Sequence, residues 1–415
     1  MHPLLRRVSK PLKVVLLAAG KGERLEPITH TRPKPFVPVL GETLIERNLR
    51  IVKDIVKDPD IFVVIPEEYP REYENFFSRL QGVRLVKQGE RKGTGGALQY
   101  IPKFSDDEVV IFYGDVYTTR NSVERLISEP GNAMLGIEVP NPSEYGSLQI
   151  DGEGNLRGIV EKSPNPPSKV INGGIYKLSS SILDLVDSLE ISPRGEYEFT
   201  DALTAFAKTH KVKVVKSNDF WRDVGKPWDV IDINKAELDS IPGRIEGELE
   251  ENVKIVGKVI IEEGAKVLSG TRIEGPVFIG KNCVVGPNAY LRPYTLLTGN
   301  VKIGSFVEIK ESVVMEGTKI PHLSYVGDSV ISEDVNFGAG TLVANLRFDE
   351  KEVFMNIKGK RQGTGRKKMG TVVGGHVRTG INVSILPGIK IGAYAMIYPG
   401  AVVNRDVNRG EFYKG

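Results

Sequence analysis

The sequence predicts an α/β domain built on a Rossmann-like, mostly parallel sheet, followed by a parallel β-helix of hexapeptide repeats. Three observations carry the prediction. Short apolar runs alternate with helical segments through the first half. A glycine-rich turn closes the first of those runs. In the second half an apolar residue recurs at every sixth position.

Residues 13–19 (KVVLLAA) form a continuous apolar run that ends in glycine, as a strand buried on both faces does. The runs 61–65 (IFVVI) and 109–113 (VVIFY) read the same way, and residues 44–57 between them read as a helix. Strand, helix, strand in sequence argues a mostly parallel sheet. Ligands of such sheets sit at the carboxyl ends of strands, which draws attention to Gly20 after the first run and Gly114-Asp115 after the third.

From Ile255 to Met315 every sixth residue is Ile, Val, Leu or Met. Two positions before each stands a small or β-branched residue, from Val253 to Val313. The phase returns with Ile385, Ile391, Ile397 and Val403. Eleven consecutive matches fit neither a helix face nor an ordinary strand, and a hexapeptide period is the mark of a parallel β-helix. Each turn then buries its inward residues against the turns above and below. Cys283 falls on an inward small position, which makes it core rather than a reactive thiol. The expected domains are residues 12–235 and 251–415, joined by a polar linker, 236–250, that contains Pro242-Gly243.

Composition narrows the classes of function. The chain has 415 residues, 40% hydrophobic and 26% charged, with a net charge of +3. That balance gives no warrant for nucleic acid or an anionic membrane as a partner. A single cysteine excludes an internal disulfide framework and a cysteine zinc cluster. The opening residues carry Arg6, Arg7 and Lys10 without an apolar core of signal-peptide length. No run approaches 18 apolar residues, so the cytoplasm is the expected location. Glutamine is confined to positions 81, 88, 99, 149 and 362 while Lys, Arg and Glu abound; this fits a thermophile, and drift in composition is the plainer reading.

The first chemical constellation is Gly20-Lys21-Gly22-Glu23-Arg24-Leu25, followed by Pro33-Lys34-Pro35. A glycine turn lets backbone N–H groups approach phosphate. It lacks the GK[ST] ending of a Walker loop and the third glycine of a dinucleotide fingerprint. The rigid lysine downstream gives it more weight than a bare turn. LAAGKGERL and THTRPKPFVPV resemble the sugar-1-phosphate nucleotidylyltransferases, closest in wording to glucose-1-phosphate thymidylyl- and uridylyltransferases. The resemblance continues through Gln88, Gly93-Thr94-Gly95, Tyr113-Gly114-Asp115, Tyr145-Gly146, Val160-Glu161-Lys162, Asn172-Gly173-Gly174 and Asp223-Val224-Gly225.

That resemblance implies an α/β nucleotidyltransferase domain. Gly20, Gly22 and Arg24 would hold the triphosphate, with Arg24 on the leaving pyrophosphate. Lys34 would contact the sugar phosphate or the reacting phosphoryl group. Gln88, Gly93 and Thr94 would read a pyrimidine base, with UTP and dTTP both candidates. Gly146, Glu161 and Asn172 would hold the sugar and Lys162 its phosphate. Asp115 and Asp223 would bind Mg²⁺. The bland readings are a surface ion pair for Glu161 and Lys162 and a turn for Asn172; the ordered set favours the functional ones. In the bacterial N-acetylglucosamine-1-phosphate uridylyltransferases the second metal ligand is asparagine, whereas Asp223 follows the thymidylyltransferases, which leaves the preferred sugar open.

The second constellation lies in the repeats: Leu291-Arg292-Pro293, then Glu308-Ile309-Lys310, His322-Leu323-Ser324-Tyr325-Val326-Gly327-Asp328, Asn336-Phe337-Gly338-Ala339-Gly340 and Asn345. This run resembles the acetyltransferase domain of the bifunctional bacterial enzymes that make UDP-N-acetylglucosamine, a left-handed β-helix. The resemblance implies His322 as general base, a task suited to a pKa near ~6.5. Arg292 and Lys310 would hold the sugar phosphate, Tyr325, Asn336 and Asn345 the sugar, and the backbone at Ala339 would face acetyl-CoA. It also implies a homotrimer, because such coils pack in threes. The family's tyrosine after Asn345 is replaced by Leu346, and residues 347–370 form a longer, basic segment, either a solvated loop or a contact to the CoA phosphates. His376 has no supporting motif and reads as structural.

Three functions follow. The first is a bifunctional enzyme acting on glucosamine or galactosamine 1-phosphate and then on the acetylated product or glucose 1-phosphate. The second is a single nucleotidylyltransferase with a scaffold coil. The third is a non-enzymatic subunit of the same architecture, which Lys34, Asp115 and Asp223 argue against.

Overall fold

A computed structural model describes residues 11–104 and 107–415, so Arg6, Arg7 and Lys10 lie outside the described residues. By packing, the chain divides into two compact units. The first runs up to residue 20 and includes 45–69 and 77–223; the second comprises 21–44, 70–76 and 224–415. This division by packing differs from one by sequence order, because residues 21–44 and 70–76 pack with the second unit.

The first unit is built on a mixed sheet of nine strands. Lys13–Leu17 lies at its middle, parallel to Asp60–Pro66 on one side and to Glu108–Tyr113 on the other. Asp60–Pro66 continues in parallel to Arg84–Gln88. Beyond Glu108–Tyr113 the direction reverses: Val170–Ser179 is antiparallel to it and leads to Gly146–Ile150 and Leu156–Glu161. The three apolar runs of the sequence are the buried strands they were expected to be, with Val14, Val15, Val63, Val64, Val109 and Val110 inaccessible. The expected helix is Leu44–Ile55.

The second unit is dominated by parallel strands on three faces, the architecture of the expected hexapeptide coil. Val259–Ile261, Val277–Ile279 and Thr295–Leu297 stack in parallel on one face, each 18 residues after the last. Lys266–Val267, Val284–Val285 and Lys302–Ser305 stack on the second. Arg272–Glu274, Tyr290–Leu291 and Glu308–Lys310 stack on the third. The sixfold residues Ile261 to Met315 are all buried, and Ile255 is half-buried at the end of the stack. Each inward Val, Leu or Ile contributes roughly 1.5–3 kcal/mol of burial. Pairing begins before the expected limit: Arg244–Ile245 and Glu248–Leu249 already pair with coil strands. Residue 235 belongs to a helix, Pro227–Ser240.

Corners between faces need left-handed backbone, which explains the asparagines and glycines there. Asn282 and Asn288 have φ of 58° and 53°. Their side-chain oxygens lie so close to Gly264 and Gly270 that a Cβ on either glycine would meet them at 2.2 and 2.1 Å. His376, also at such a corner (φ 63°), stacks on Tyr394 with ring centroids 4.8 Å apart. Cys283 is fully buried, and burial pushes its thiol up to about 12.

Candidate active sites

In the first unit the pairing register gathers residues that are scattered in sequence. Gly146 pairs directly with Glu161 across antiparallel strands. A Cβ at position 146 would meet Glu161 Oε1 at 2.8 Å, so glycine makes room for that carboxylate. Lys162 follows with φ 45°, its N–H donating to the Tyr145 carbonyl at 3.0 Å. Asn172 lies on the strand that pairs with the one carrying Gly146. Its Oδ1 accepts from the Tyr176 hydroxyl (2.8 Å) and the Gly174 N–H (3.1 Å), so the side chain is held in place. Glu161 also faces Arg194 at 3.6 Å.

Gln88 ends its strand. Its Nε2 donates to the Arg91 carbonyl at 2.6 Å and to the Gly93 carbonyl at 3.3 Å. Gly93 has φ 92°, and a Cβ there would strike the Tyr197 carbonyl at 2.5 Å, so only glycine fits. The Thr94 hydroxyl accepts from the Phe199 N–H at 3.1 Å and so caps the Phe199–Phe206 helix. Burial pushes the neighbouring Tyr113 phenol up to about 12.

The two aspartates come together through one ribbon. Trp221–Asp223 pairs antiparallel with Val116–Thr118, and Asp223 is opposite Val116, the neighbour of Asp115. Both are half-buried. Among the described residues no group of three His, Cys, Asp or Glu side chains could hold a metal. A pair of hard carboxylates suits Mg²⁺, which takes one or two carboxylates and fills its shell with phosphate oxygens and water.

Gly20 closes the first unit's opening strand, whereas Gly22, Arg24 and Lys34 belong to the second unit. There the loop is stitched by the Thr29 hydroxyl donating to the Gly22 carbonyl at 2.9 Å. Gly22 has φ 67°, and a Cβ would meet Thr29 Cγ2 at 2.8 Å and Lys34 Cβ at 3.1 Å. Arg24 sits in a short turn, Glu23–Leu25, with its guanidinium against Gly225. Lys34 opens the turn Lys34–Phe36 between two prolines and is buried.

On the coil, four expected residues share one face. Arg292 Nη1 donates to Glu308 Oε1 at 2.8 Å, one turn above it. Lys310 Nζ lies 3.0 and 3.1 Å from the two oxygens of Asp328. Asn345 Nδ2 donates to the same Asp328 at 2.5 Å and to the Tyr325 hydroxyl at 3.1 Å. Burial, then the Asp328 charge, raises the Tyr325 phenol above its ordinary value. Beneath them Glu311 faces Lys235, Arg366 and Lys310; burial opposes its charge, but these cations outweigh it and hold the carboxyl below its usual range.

His322 ends the neighbouring face's strand Lys319–His322, with its ring exposed and its carbonyl accepting from the Ser324 hydroxyl at 2.8 Å. The corner at Ala339 stacks on it: the Gly340 N–H reaches the His322 carbonyl at 3.4 Å. Asn336 bridges Lys319 and Arg378 on that face. The sequence reading missed Asp328, the carboxylate that joins Lys310 to Asn345. Inside its motif, an aspartate at a left-handed corner (φ 50°) passes for a turn residue.

The basic excursion 347–370 is partly ordered by pairing and by salt bridges. It folds as a hairpin, Phe354–Ile357 against Lys360–Gly363. Arg366 at its base pairs with Asp232 (3.1 Å) and Glu311 (3.0 Å), Lys367 with Glu350 (2.6 Å), and Lys358 at its tip with Glu23 (2.6 Å).

A nucleotidyl transferase family model matches residues 13–240, and a GMPPB C-terminal domain model matches residues 273–385. A Sulfurisphaera tokodaii protein named bifunctional sugar-1-phosphate nucleotidylyltransferase/acetyltransferase is 56% identical over 407 residues, spanning 97% of this chain and 100% of the relative. A Methanocaldococcus jannaschii protein named bifunctional protein GlmU is 43% identical over 402 residues, spanning 97% of each. A Marinobacter nauticus protein of the same name is 31% identical over 462 residues, spanning 97% of this chain and 95% of the relative. No helix among the described residues is long and apolar enough to cross a membrane. Matched over nearly its whole length, the chain belongs to the family of bifunctional sugar-1-phosphate nucleotidylyltransferase/acetyltransferase enzymes.

Proposed function

We propose that this cytoplasmic enzyme acetylates glucosamine 1-phosphate or galactosamine 1-phosphate from acetyl-CoA and transfers UMP or dTMP from the triphosphate to the acetylated sugar 1-phosphate or to glucose 1-phosphate. The observation that carries the bifunctional reading, against a coil that is only scaffold, is the Lys310–Asp328–Asn345–Tyr325 cluster. A polar network held by a buried carboxylate is costly to maintain in a wall that needs only apolar stacking.

In nucleotidyl transfer a sugar-phosphate oxygen attacks the α-phosphorus, and pyrophosphate leaves with the bond it breaks. The nucleophile is already an anion, so no general base is needed; positioning and charge neutralisation are. Arg24 would take the leaving pyrophosphate, Lys34 the reacting phosphates, and Gly20 and Gly22 the triphosphate backbone. Asp115 and Asp223 would hold Mg²⁺, which when bound would neutralise phosphate charge. With its amide nitrogen committed to its own loop, Gln88 would offer its oxygen to the N3–H that uracil and thymine share. Gly93 and Thr94 would form the wall beside the base, and Gly146, Glu161, Lys162 and Asn172 would hold the sugar 1-phosphate.

In acetyl transfer the sugar amine attacks the thioester carbonyl, a C–N bond replaces the C–S bond, and the amine proton passes to His322. Arg292 and Lys310 would hold the phosphate, Tyr325, Asn336 and Asn345 the sugar, and the Ala339 corner acetyl-CoA.

Paired variants test the reading. Asp115→Ala should abolish nucleotidyl transfer and spare acetylation. His322→Gln should lower acetylation about 10²–10⁴-fold and spare nucleotidyl transfer. Full acetylation by His322→Gln would remove the general base, and full nucleotidyl transfer by Asp115→Ala at saturating Mg²⁺ would remove the metal site.

A further inference from the structure

We infer that Glu333, a coil residue, is a positioning residue for nucleotidyl transfer: through Arg32 and Thr31 it fixes the turn that presents Lys34. The inference rests on the proposed role of Lys34.

Arg32 is among the most deeply buried large side chains of the protein, at 2% exposure. Its Nε and Nη2 lie 3.3 and 3.1 Å from Glu333 Oε2, and Nη2 also donates to Glu316. Nη1 donates to the Phe36 carbonyl at 3.1 Å, the last residue of the turn that Lys34 opens. The ring of Phe76 covers the guanidinium, 4.7 Å away. The Thr31 hydroxyl donates to the other oxygen of Glu333. One buried coil carboxylate thus grips two consecutive residues just before Pro33-Lys34-Pro35. The backbone makes room for the grip: a Cβ on Gly375 would meet Glu333 Oε1 at 2.6 Å and Thr31 Oγ1 at 2.7 Å. A second strut lies nearby, the Ala393 N–H donating to His30 Nδ1 at 3.2 Å.

Arginine suits this place because its planar fork holds the glutamates and a carbonyl in one fixed geometry, which the compact ammonium of lysine does not reproduce. With Arg32 pinned at both ends and proline on each side of Lys34, the ammonium has little room to wander. If the pin is lost, the turn keeps its sequence but not its aim. A displacement of about 1 Å can cost ~10²-fold in rate. Burial opposes the charge on Arg32, but the two glutamates outweigh it and raise its pKa above the ordinary value, so the group stays cationic.

The test compares Glu333→Gln, Glu333→Asp, Arg32→Lys and Lys34→Ala in the full-length enzyme. Both activities and a melting curve are measured for each. Glu333→Gln keeps the volume and removes the charge; it should lower kcat for nucleotidyl transfer roughly 10- to 100-fold with a smaller change in KM. Glu333→Asp should recover part of that loss. Arg32→Lys lies outside the repeats and should reproduce the loss with the coil intact. Acetyl transfer should hold throughout. If Glu333→Gln and Arg32→Lys keep full kcat while Lys34→Ala loses activity, the inference is overturned and the role of Lys34 stands. If both activities fall with the melting temperature, the pair is a structural staple only, which also overturns it. If Lys34→Ala keeps full activity, the reading of Lys34 fails first.

Discussion

Asp328 decides how far the coil site can be trusted as a site. Its side chain is 3% exposed and meets Lys310 on one side and Asn345 on the other. Asp328 is the nearer of the two anions at the half-buried Lys310 ammonium and the acceptor for the Asn345 amide, so it holds both orientations. Asp328→Asn keeps the shape but removes the charge that holds Lys310. Losing a hydrogen bond to a charged group costs about 1.5–3 kcal/mol, roughly a ten- to hundredfold loss in kcat/KM for acetyl transfer. The loss should appear mainly as a raised KM for the amino-sugar phosphate, because Lys310 is proposed to hold that phosphate. Steady-state kinetics on both reactions checks it. An unchanged KM would show that the cluster serves the coil and not the substrate. The residues around Asp328 were readable in the sequence because each stands in a motif of fixed spacing. Asp328 was not, because its role depends on what lies beside it one coil turn away.

At the scale of elements, the repeat was legible because each inward position is an independent vote for the same period. Where the period slips, the sequence loses the thread. Val314, five residues after Ile309, stacks on Leu297 in the place the sixfold phase gives to Met315, and Ile320 follows it onto Ile303, fully buried. The chain trims a corner there, and only strand pairing reveals it. The hairpin at 354–363 was hidden for a related reason: its anchors are ion pairs to residues as distant as Glu23 and Asp232, and such pairs leave no periodic trace. The buried strands of the first unit were legible from apolar runs alone. The meeting of Gly146 with Glu161 needed the register. Cys283 offers a test of the coil as an element. With its thiol pushed up to about 12 and fully buried, it holds its proton at neutral pH, and the thiolate is the reactive form. A thiol reagent should leave the folded protein unlabelled and react once denaturant opens the coil. Cys283→Ser puts a hydroxyl among aliphatic side chains and should destabilise by about 1–3 kcal/mol. Rapid labelling under native conditions would place the residue outside the core.

At the scale of the whole molecule, the outer faces of the coil carry apolar side chains that a lone chain leaves in water. Leu342 and Val402 stand on one face, 48% and 50% exposed, with Ser384 between them in the stack. Met396 and Phe412 pair on another, 54% and 53% exposed. Single exposed apolar residues need no explanation, but aligned ones on flat, rigid faces mark contact surfaces. If the coil packs in threes, as the resemblance implies, two further copies of this chain would cover these side chains. The enzyme should therefore be a trimer by light scattering at micromolar concentration. Assembly that binds only the folded form adds stability by mass action, so the melting temperature should rise with protein concentration. Met396→Glu sets a charge on each copy's face without touching the inward stack, so each coil should remain folded. It should shift the trimer toward monomer and remove the concentration dependence. A wild-type monomer under these conditions would refute the assembly. A trimer unmoved by Met396→Glu would place its interface on a different face.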